Sequence, residues 1–376
     1  MKRMIGISLA ALLSYLLMGC SSGGQRSNAS MDGKIVEDTL VVSQEMEQLK
    51  ELPPLEEGEV FLKGKNPFGY DIELKGRHIE EVDTFVFKPD GSKMIIEDGQ
   101  LVLSISAGDG PFFAFRYPEL TYLKTVGTRG NGPDEFVFPL VLKSHDPAYL
   151  CYLYDIGRCN LYGLDTQNEI HFVKKLFETD SPFGVTQNLY NVDAHTFLYA
   201  KNAITRISIE ADVVHTKDIY PLQLRNARGM PSTGALGVNP EQNRMVYAYK
   251  YAKIVKFMDL EAQTVRTLNF QQSTFDEKTL SMADGLDRNV THYMDVIPTP
   301  DAVYITYSGR SPIAVYNELK KDIYYSYVEK YDWNGNPLCR YKLDAFSICC
   351  AYDKQQNQLV LCCHYYDDPF VVFELE

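Results

Sequence analysis

The sequence predicts an all-β protein: a six-bladed β-propeller with four antiparallel strands per blade and a ring closed by an N-terminal strand. Three observations lead there. From residue 93 to the C-terminus of the 376-residue chain, one pattern recurs about six times: apolar run, turn, second strand-like run, Asp or Asn corner, third run. Self-similarity at such a period marks an array that closes or stacks. Twenty-six Tyr and 19 Phe against the single Trp333, with 45% apolar residues, suit a strand-rich chain with a large core. No ten-residue stretch of the body holds a helical period of 3.6.

The second strand of each unit is the clearest: Gln100–Ser104, Tyr149–Leu153, Thr196–Ala200, Arg244–Ala248, Ala302–Thr306 and Gln358–Cys362. Each is short, rich in β-branched or aromatic residues, and bounded by turn residues. Their starts lie about 50 residues apart, further in the later units, which carry the long segments Gln272–His292 and Ser308–Asp322. A third run follows at Asn160–Asp165, Ile204–Ile209, Ile254–Asp259 and Ser326–Asp332. Polar Asn/Asp/Gly corners, which supply positive φ or Asx turns, then lead to a fourth strand such as Ile170–Lys174. Four antiparallel strands per repeat describe a propeller blade.

The last unit, Phe346–Glu376, has room for only three strands, and an unpaired outer edge invites aggregation. A strand donated from residues 60–88 repairs it, with Asp83–Phe87 as a candidate. The propeller therefore spans 59–376. The competing architecture is a seven-bladed ring that uses the segment before residue 80 in an extra blade.

Residues 1–19 read as a signal peptide: basic Lys2 and Arg3, then a mostly apolar stretch from Ile5 to Met18 too short to span a bilayer. Leu17–Cys20 resembles the bacterial lipobox, which implies cleavage before Cys20 and its lipidation, an anchor without a transmembrane helix. Residues 20–58 then form the lipidated cysteine and a tether, with Ser21–Ser30 rich in Ser, Gly and Asn. The first acid after Cys20 is Asp32, which favours a periplasm-facing location by resemblance to the export rule of Bacteroidota lipoproteins. Asp38-Thr39-Leu40 resembles an O-glycosylation motif of the same bacteria, with Thr39 as acceptor.

The formal net charge of −13 argues against a nucleic-acid partner, and no basic run with interleaved aromatics appears. Apart from Cys20, seven cysteines remain: Cys151, Cys159, Cys339, Cys349, Cys350, Cys362 and Cys363. Seven cannot all pair. One cross-strand disulfide between the vicinal pairs, a thiolate–His364 metal site and buried free thiols all stay open, buried thiols being favoured. Recurrent acids at Asp155, Asp165, Asp193, Asp259 and Asp332 fit hairpin corners, or else carboxylates converging on a channel metal. No nucleophile elbow, His-Glu-x-x-His or EF-hand loop is present.

Gly127-Thr-Arg-Gly-Asn-Gly-Pro-Asp-Glu-Phe136 resembles the Gly-x-x-Gly-x-Gly-Pro-x-Glu-Phe signature of the TolB-like six-bladed propeller lipoproteins of Bacteroidota. It is also similar to the glycine-rich start of NHL repeats. With the lipobox and the six units, the resemblance covers nearly the whole chain. Asp134 stands where the family often has Gly, and Arg129 at a variable position. Because that family is largely of unknown function, the resemblance implies fold and location more than activity.

Within this loop, Arg129, Asn131, Asp134 and Glu135 are candidate contacts for a ligand or partner. The competing reading makes the loop a joint, with Glu135 accepting backbone N–H bonds and Phe136 filling a gap between blades. Arg310 and Tyr324, in the tyrosine-dense Tyr324–Tyr327, and the segment His364–Asp368 are further candidates. The expected function is a non-catalytic binding or scaffold module for an envelope protein or glycan, monomeric, with no catalytic residue, metal or cofactor assigned. The alternative is a channel-centred metal-dependent hydrolase or lactonase.

Overall fold

The runs that read as second strands are among the most deeply buried of the described segments. Cys151–Asp155 and Gln358–Cys362 are buried throughout, and Gln100–Ile105 and Arg244–Tyr249 at every position after the first. A second strand has a neighbouring blade against each face, so continuous apolar sequence replaces the alternation of a one-sided sheet. The computed structural model describes residues 56–63, 66–79, 91–105, 110–132, 135–177, 189–224, 232–270 and 287–375. Cys20, Thr39, Asp83–Phe87, Asp134 and most of Gln272–His292 lie outside them.

The N-terminal segment supplies β1 (Glu59–Phe61), β2 (Asp71–Leu74) and β3 (Arg77–His78). Blade 1 contains β4 (Gly91–Glu97), β5 (Gln100–Ile105), β6 (Phe112–Arg116) and β7 (Thr121–Val126). A joint with β8 (Thr128–Arg129) and β9 (Glu135–Phe136) leads into blade 2: β10 (Pro139–Lys143), β11 (Cys151–Asp155), β12 (Asn160–Leu164) and β13 (Ile170–Lys175). Blade 3 holds β14 (Leu189–Asp193), β15 (Thr196–Ala200), β16 (Ala203–Glu210) and β17 (Val213–Pro221). In blade 4 come β18 (Gly234–Asn239), β19 (Arg244–Tyr249), β20 (Ile254–Met258) and β21 (Thr264–Asn269). Blade 5 runs β22 (Thr291–Pro298), β23 (Val303–Arg310), α1 (Pro312–Leu319), β24 (Ser326–Tyr331) and β25 (Pro337–Leu343). Blade 6 has β26 (Cys350–Asp353), β27 (Gln358–Cys362) and β28 (Phe370–Glu374).

Blade 6 takes three strands from its own repeat, and β3 completes it as the fourth, antiparallel to β28 with Arg77 opposite Val372. Closure by an N-terminal strand is therefore present, at Arg77–His78. The described residues before 80 build no seventh blade. Instead β1 lies parallel to β21 as a fifth strand of blade 4, and β2 parallel to β25 as a fifth strand of blade 5. The N-terminal segment is thus a strap around three blades.

Apolar cores fill the spaces between neighbouring blades. One example is Leu103, Ile105 and Phe115 of blade 1 against Val360, Phe370 and Val372 of blade 6. Another joins Val246, Phe257 and Phe270 of blade 4 to Tyr293, Ile305 and Tyr331 of blade 5. The strap seals the outer rims of these cores with Leu62 and Phe68, then Ile72 and Leu74, then Ile79.

The expected Asp corners recur as one device between third and fourth strands. Asp165 Oδ1 accepts from the N–H of Gln167 and Glu169, Asp259 Oδ1 from Glu261 and Gln263, and Asp332 Oδ1 from Asn334 and Asn336. Each turn places one residue at positive φ: Asn168, Ala262 and Gly335.

Candidate functional site

The glycine loop is built around the carboxylate of Glu135. Gly132 N–H donates to Glu135 Oε2 at 2.6 Å, and a Cβ on Gly130 would stand 2.0 Å from that oxygen, so any larger residue there displaces the carboxylate. Phe136 is buried between blades 1 and 2, edge-on to Phe112 with ring centroids 5.0 Å apart and 5.0 Å from Tyr162. Arg129 turns inward and donates to the carbonyls of Ile105 (2.5 Å) and Val137 (3.3 Å), tying the end of β5 to the joint. Asn131 is exposed at the tip. Each of these groups except Asn131 is engaged in joining two blades.

The recurrent acids stay apart. Asp155 is buried and accepts from the N–H of Phe138 (3.1 Å) and Gly157 (3.0 Å), while Asp193 caps the turn to His195 at 2.9 Å. Asp165, Asp259 and Asp332 serve the corners. Among the described residues, no three His, Cys, Asp or Glu side chains are grouped to hold a metal ion. All seven cysteines there are free thiols, and six are buried. Burial pushes the thiols of Cys349, Cys350 and Cys363 well up.

The ring's centre holds a cluster with little signature in the sequence. Lys93 on β4, Tyr190 on β14 and Asp295 on β22 come from the inner strands of blades 1, 3 and 5. Lys93 Nζ lies 3.2 Å from Asp295 Oδ1, 3.1 Å from the Tyr190 hydroxyl and 5.0 Å from that ring's centroid. Asp295 Oδ1 also accepts from Val296 N–H at 2.9 Å, and burial raises the Tyr190 hydroxyl. Three alternate blades are cross-braced through the channel.

Arg310 and Tyr324 do come together, on the face carrying the joint and the turns between second and third strands. There α1 is inserted between β23 and β24. Ser311 caps it, its Oγ accepting from Ala314 N–H at 3.3 Å, and Pro312 sits in the first turn. Its buried side, Val315 and Leu319, packs on Phe346, with Tyr324 and Tyr365 at the margin. Arg310 stacks 3.7 Å above the Tyr325 ring, donates to Tyr325 O at 2.6 Å and pairs with Glu318 at 2.5 Å. Tyr324 lies 5.3 Å from Tyr366 and 6.0 Å from Tyr365, with its hydroxyl donating to Asp322 at 3.0 Å. Tyr366 meets His78 of the closing strand at 4.7 Å. The result is an aromatic ridge of half-buried Tyr324, Tyr325, Tyr365 and Tyr366 over blades 5 and 6, bordered by exposed Ile323.

Between blades 4 and 5 is a buried charge chain that sequence reading missed. Glu329 is fully buried and Lys253 nearly so, with 3.9 Å between Nζ and Oε1. Arg340 NH1 stands 3.9 Å from the same oxygen, and Tyr331 donates to Oε2 at 2.6 Å. Burial raises the Glu329 carboxyl and lowers the Lys253 ammonium, opposed in each case by the partner's charge. His292, stacked on Tyr307 at 6.1 Å, is pushed down to about 4 by burial and then by Lys253. A charged residue inside an apolar strand, as in Tyr327–Tyr331, is the signal that could have pointed here.

Fold and site define a closed propeller with a cross-braced centre and an aromatic ridge to one side of its axis. The model of the TolB-like 6-blade propeller-like family matches residues 75–355, and the chain belongs to that family. No curated protein matches it. Among solved structures it is similar to an exported-protein candidate from Bacteroides fragilis NCTC 9343, with 11% identity and TM-score 0.53 over 84% of this chain and 99% of that one. It is likewise similar to a DUF4221 member from Bacteroides vulgatus ATCC 8482, with 12% identity and TM-score 0.51 over 81% and 96%. At such identities the likeness is one of fold. No helix among the described residues is long and apolar enough to cross a membrane.

Proposed function

We propose that this protein is a binding module of the cell envelope, facing the periplasm, that docks an envelope protein or a glycan on its aromatic ridge. Residues 1–19 are its signal, lipidated Cys20 its anchor, and Thr39 in the tether an O-glycan acceptor. The carrying observation is the ridge: half-buried tyrosines beside a fixed Arg310, set on packed blades that hold them in place. Tyrosines offer large contact area at low entropic cost together with a polar tip, which suits both protein and sugar partners. The centre of the ring is occupied by Lys93, Asp295 and Tyr190. No observation among the described residues favours a channel-centred metal-dependent hydrolase or lactonase.

The test compares pull-downs of the lipidated chain from native membranes, wild type against Tyr324→Ala/Tyr366→Ala, with a glycan array run on both. Loss of one defined partner or glycan in the ridge variant, but not in Arg129→Ala/Asn131→Ala, supports the ridge. Unchanged partners in the ridge variant would refute it. Cys20→Ser, expected to leave the membrane fraction, checks the anchor separately.

A further inference from the structure

The strap is held in two different ways along its length. At β3 the chain is locked by packing. A Cβ on Gly76 would stand 2.3 Å from Val371 and 2.8 Å from Phe373, so the backbone lies directly on β28. Gly76 N–H also donates to Asp344 at 2.9 Å and Ile79 N–H to Phe370 O at 3.0 Å. Upstream the hold combines four half-buried apolar side chains, Leu62, Phe68, Ile72 and Leu74, with ion pairs to the ring. β1 and β2 pair over three and four residues. Val60 is 40% exposed and Tyr70 77%.

The ion pairs set acids of the strap against bases of the ring. Glu56 meets Lys256 at 3.1 Å, Asp71 meets Arg340 at 2.7 Å and Glu73 meets Lys342 at 2.9 Å. Lys342 holds the Glu73 carboxyl below its ordinary range. Salt weakens the exposed Glu73–Lys342 pair most and the part-buried Asp71–Arg340 and Glu56–Lys256 pairs less.

Arg340 stands between Asp71 outside and buried Glu329 inside. If β2 departs, Glu329 keeps both Arg340 and Lys253, and if β1 departs the buried Lys256 loses Glu56 but keeps the Tyr220 hydroxyl at 2.8 Å, so no buried charge is left without a partner. That removes the largest cost of detaching a salt-bridged strand from a core.

We propose that the strap is a two-part latch: β3 is a permanent clasp that shuts the ring, and β1 with β2 is a brace that lifts from blades 4 and 5 on its own, pinned by Arg340. Brace opening is a local unfolding step below the global one.

Hydrogen exchange on the full chain tests it, with fragments that separate residues 59–74 from 77–79 and 370–374. Asp71→Asn/Glu73→Gln, and separately about 1 M NaCl, should speed exchange in 59–74 about tenfold while the clasp fragments keep their rate. Equal acceleration of 77–79 and 370–374 would show one continuous strap and overturn the division. An unchanged rate in 59–74 would show that the ion pairs do not hold the brace, and would overturn the latch. Glu73 is exposed and Asp71 half-buried on an outer-edge strand, so the ring should still fold, and an unchanged melting temperature confirms it.

Discussion

Glu135 and Gly130 should behave as one energetic unit. Replacing Gly130 by Ala puts a Cβ 2.0 Å from Glu135 Oε2 and 2.6 Å from its carboxyl carbon. The carboxylate is the free end of a flexible side chain, so it swings away, and the cost is the bond it leaves, that from Gly132 N–H at 2.6 Å. Hydrogen bonds to charged groups are worth about 1.5–3 kcal/mol. Gly130 is not among the positive-φ glycines, so Ala is allowed there and returns about 0.5 kcal/mol by restricting the unfolded chain. Gly130→Ala should therefore cost about 1.5 kcal/mol and Glu135→Ala about 2 kcal/mol. The double variant should cost about 1.5 kcal/mol, since the bond can be lost only once, which gives a coupling near 2 kcal/mol. Urea unfolding of the four proteins closes the cycle. Additive losses would refute the claim that the glycine exists to seat this carboxylate.

The cross-brace makes a second prediction. Lys93→Met leaves Asp295 buried without its cation and should cost about 3 kcal/mol, whereas Lys93→Met/Asp295→Asn should regain most of it, both read from urea midpoints. pH dependence gives the third. His292 is held down to about 4, so between its ordinary value and about pH 4 the unfolded chain binds a proton that the folded chain does not. Stability should fall with pH across that window by about 3 kcal/mol and level off below it. His292→Phe, which keeps the stack on Tyr307, should lack that part of the slope in midpoints measured from pH 7 to pH 4.

How legible the fold was depended on how local its causes are. The second strands could be read because burial on both faces demands unbroken apolar runs. Asp165, Asp259 and Asp332 could be read because an Asx corner is written within five residues. β3 lies within the residues 60–88 expected to close the ring, but its exact position escaped because a two-residue strand in Lys75–Ile79 has no periodicity, and its fit comes from Gly76 lying on Val371 and Phe373. The parallel strands β1 and β2 escaped as well, since three or four residues on an outer edge need no apolar pattern. α1 was seen only as extra length in Ser308–Asp322, its eight residues being too few for a helical period to stand out. At the site, tyrosine density pointed to Tyr324, and the ridge formed there. Lys93, Tyr190 and Asp295 are 97 and 202 residues apart in sequence, and ring closure alone brings them together.

A strap that must wait for its partners also sets the order of assembly. Asp71 leaves the ribosome early, yet the arginine it meets follows 269 residues later, and the strand that β3 completes comes later still. Blades 1 to 3 are made of consecutive strands and can collapse as they emerge, but β3 seals the ring by pairing with β28 from the far end of the chain. Contacts of that kind are slow, because the whole intervening loop must be closed before any of them forms. A circular permutant that begins at Gly91 and carries residues 56–79 after Leu375 would make the seal local. It should reach the same ring faster, which places the speed of assembly in the order of the strands rather than in their composition.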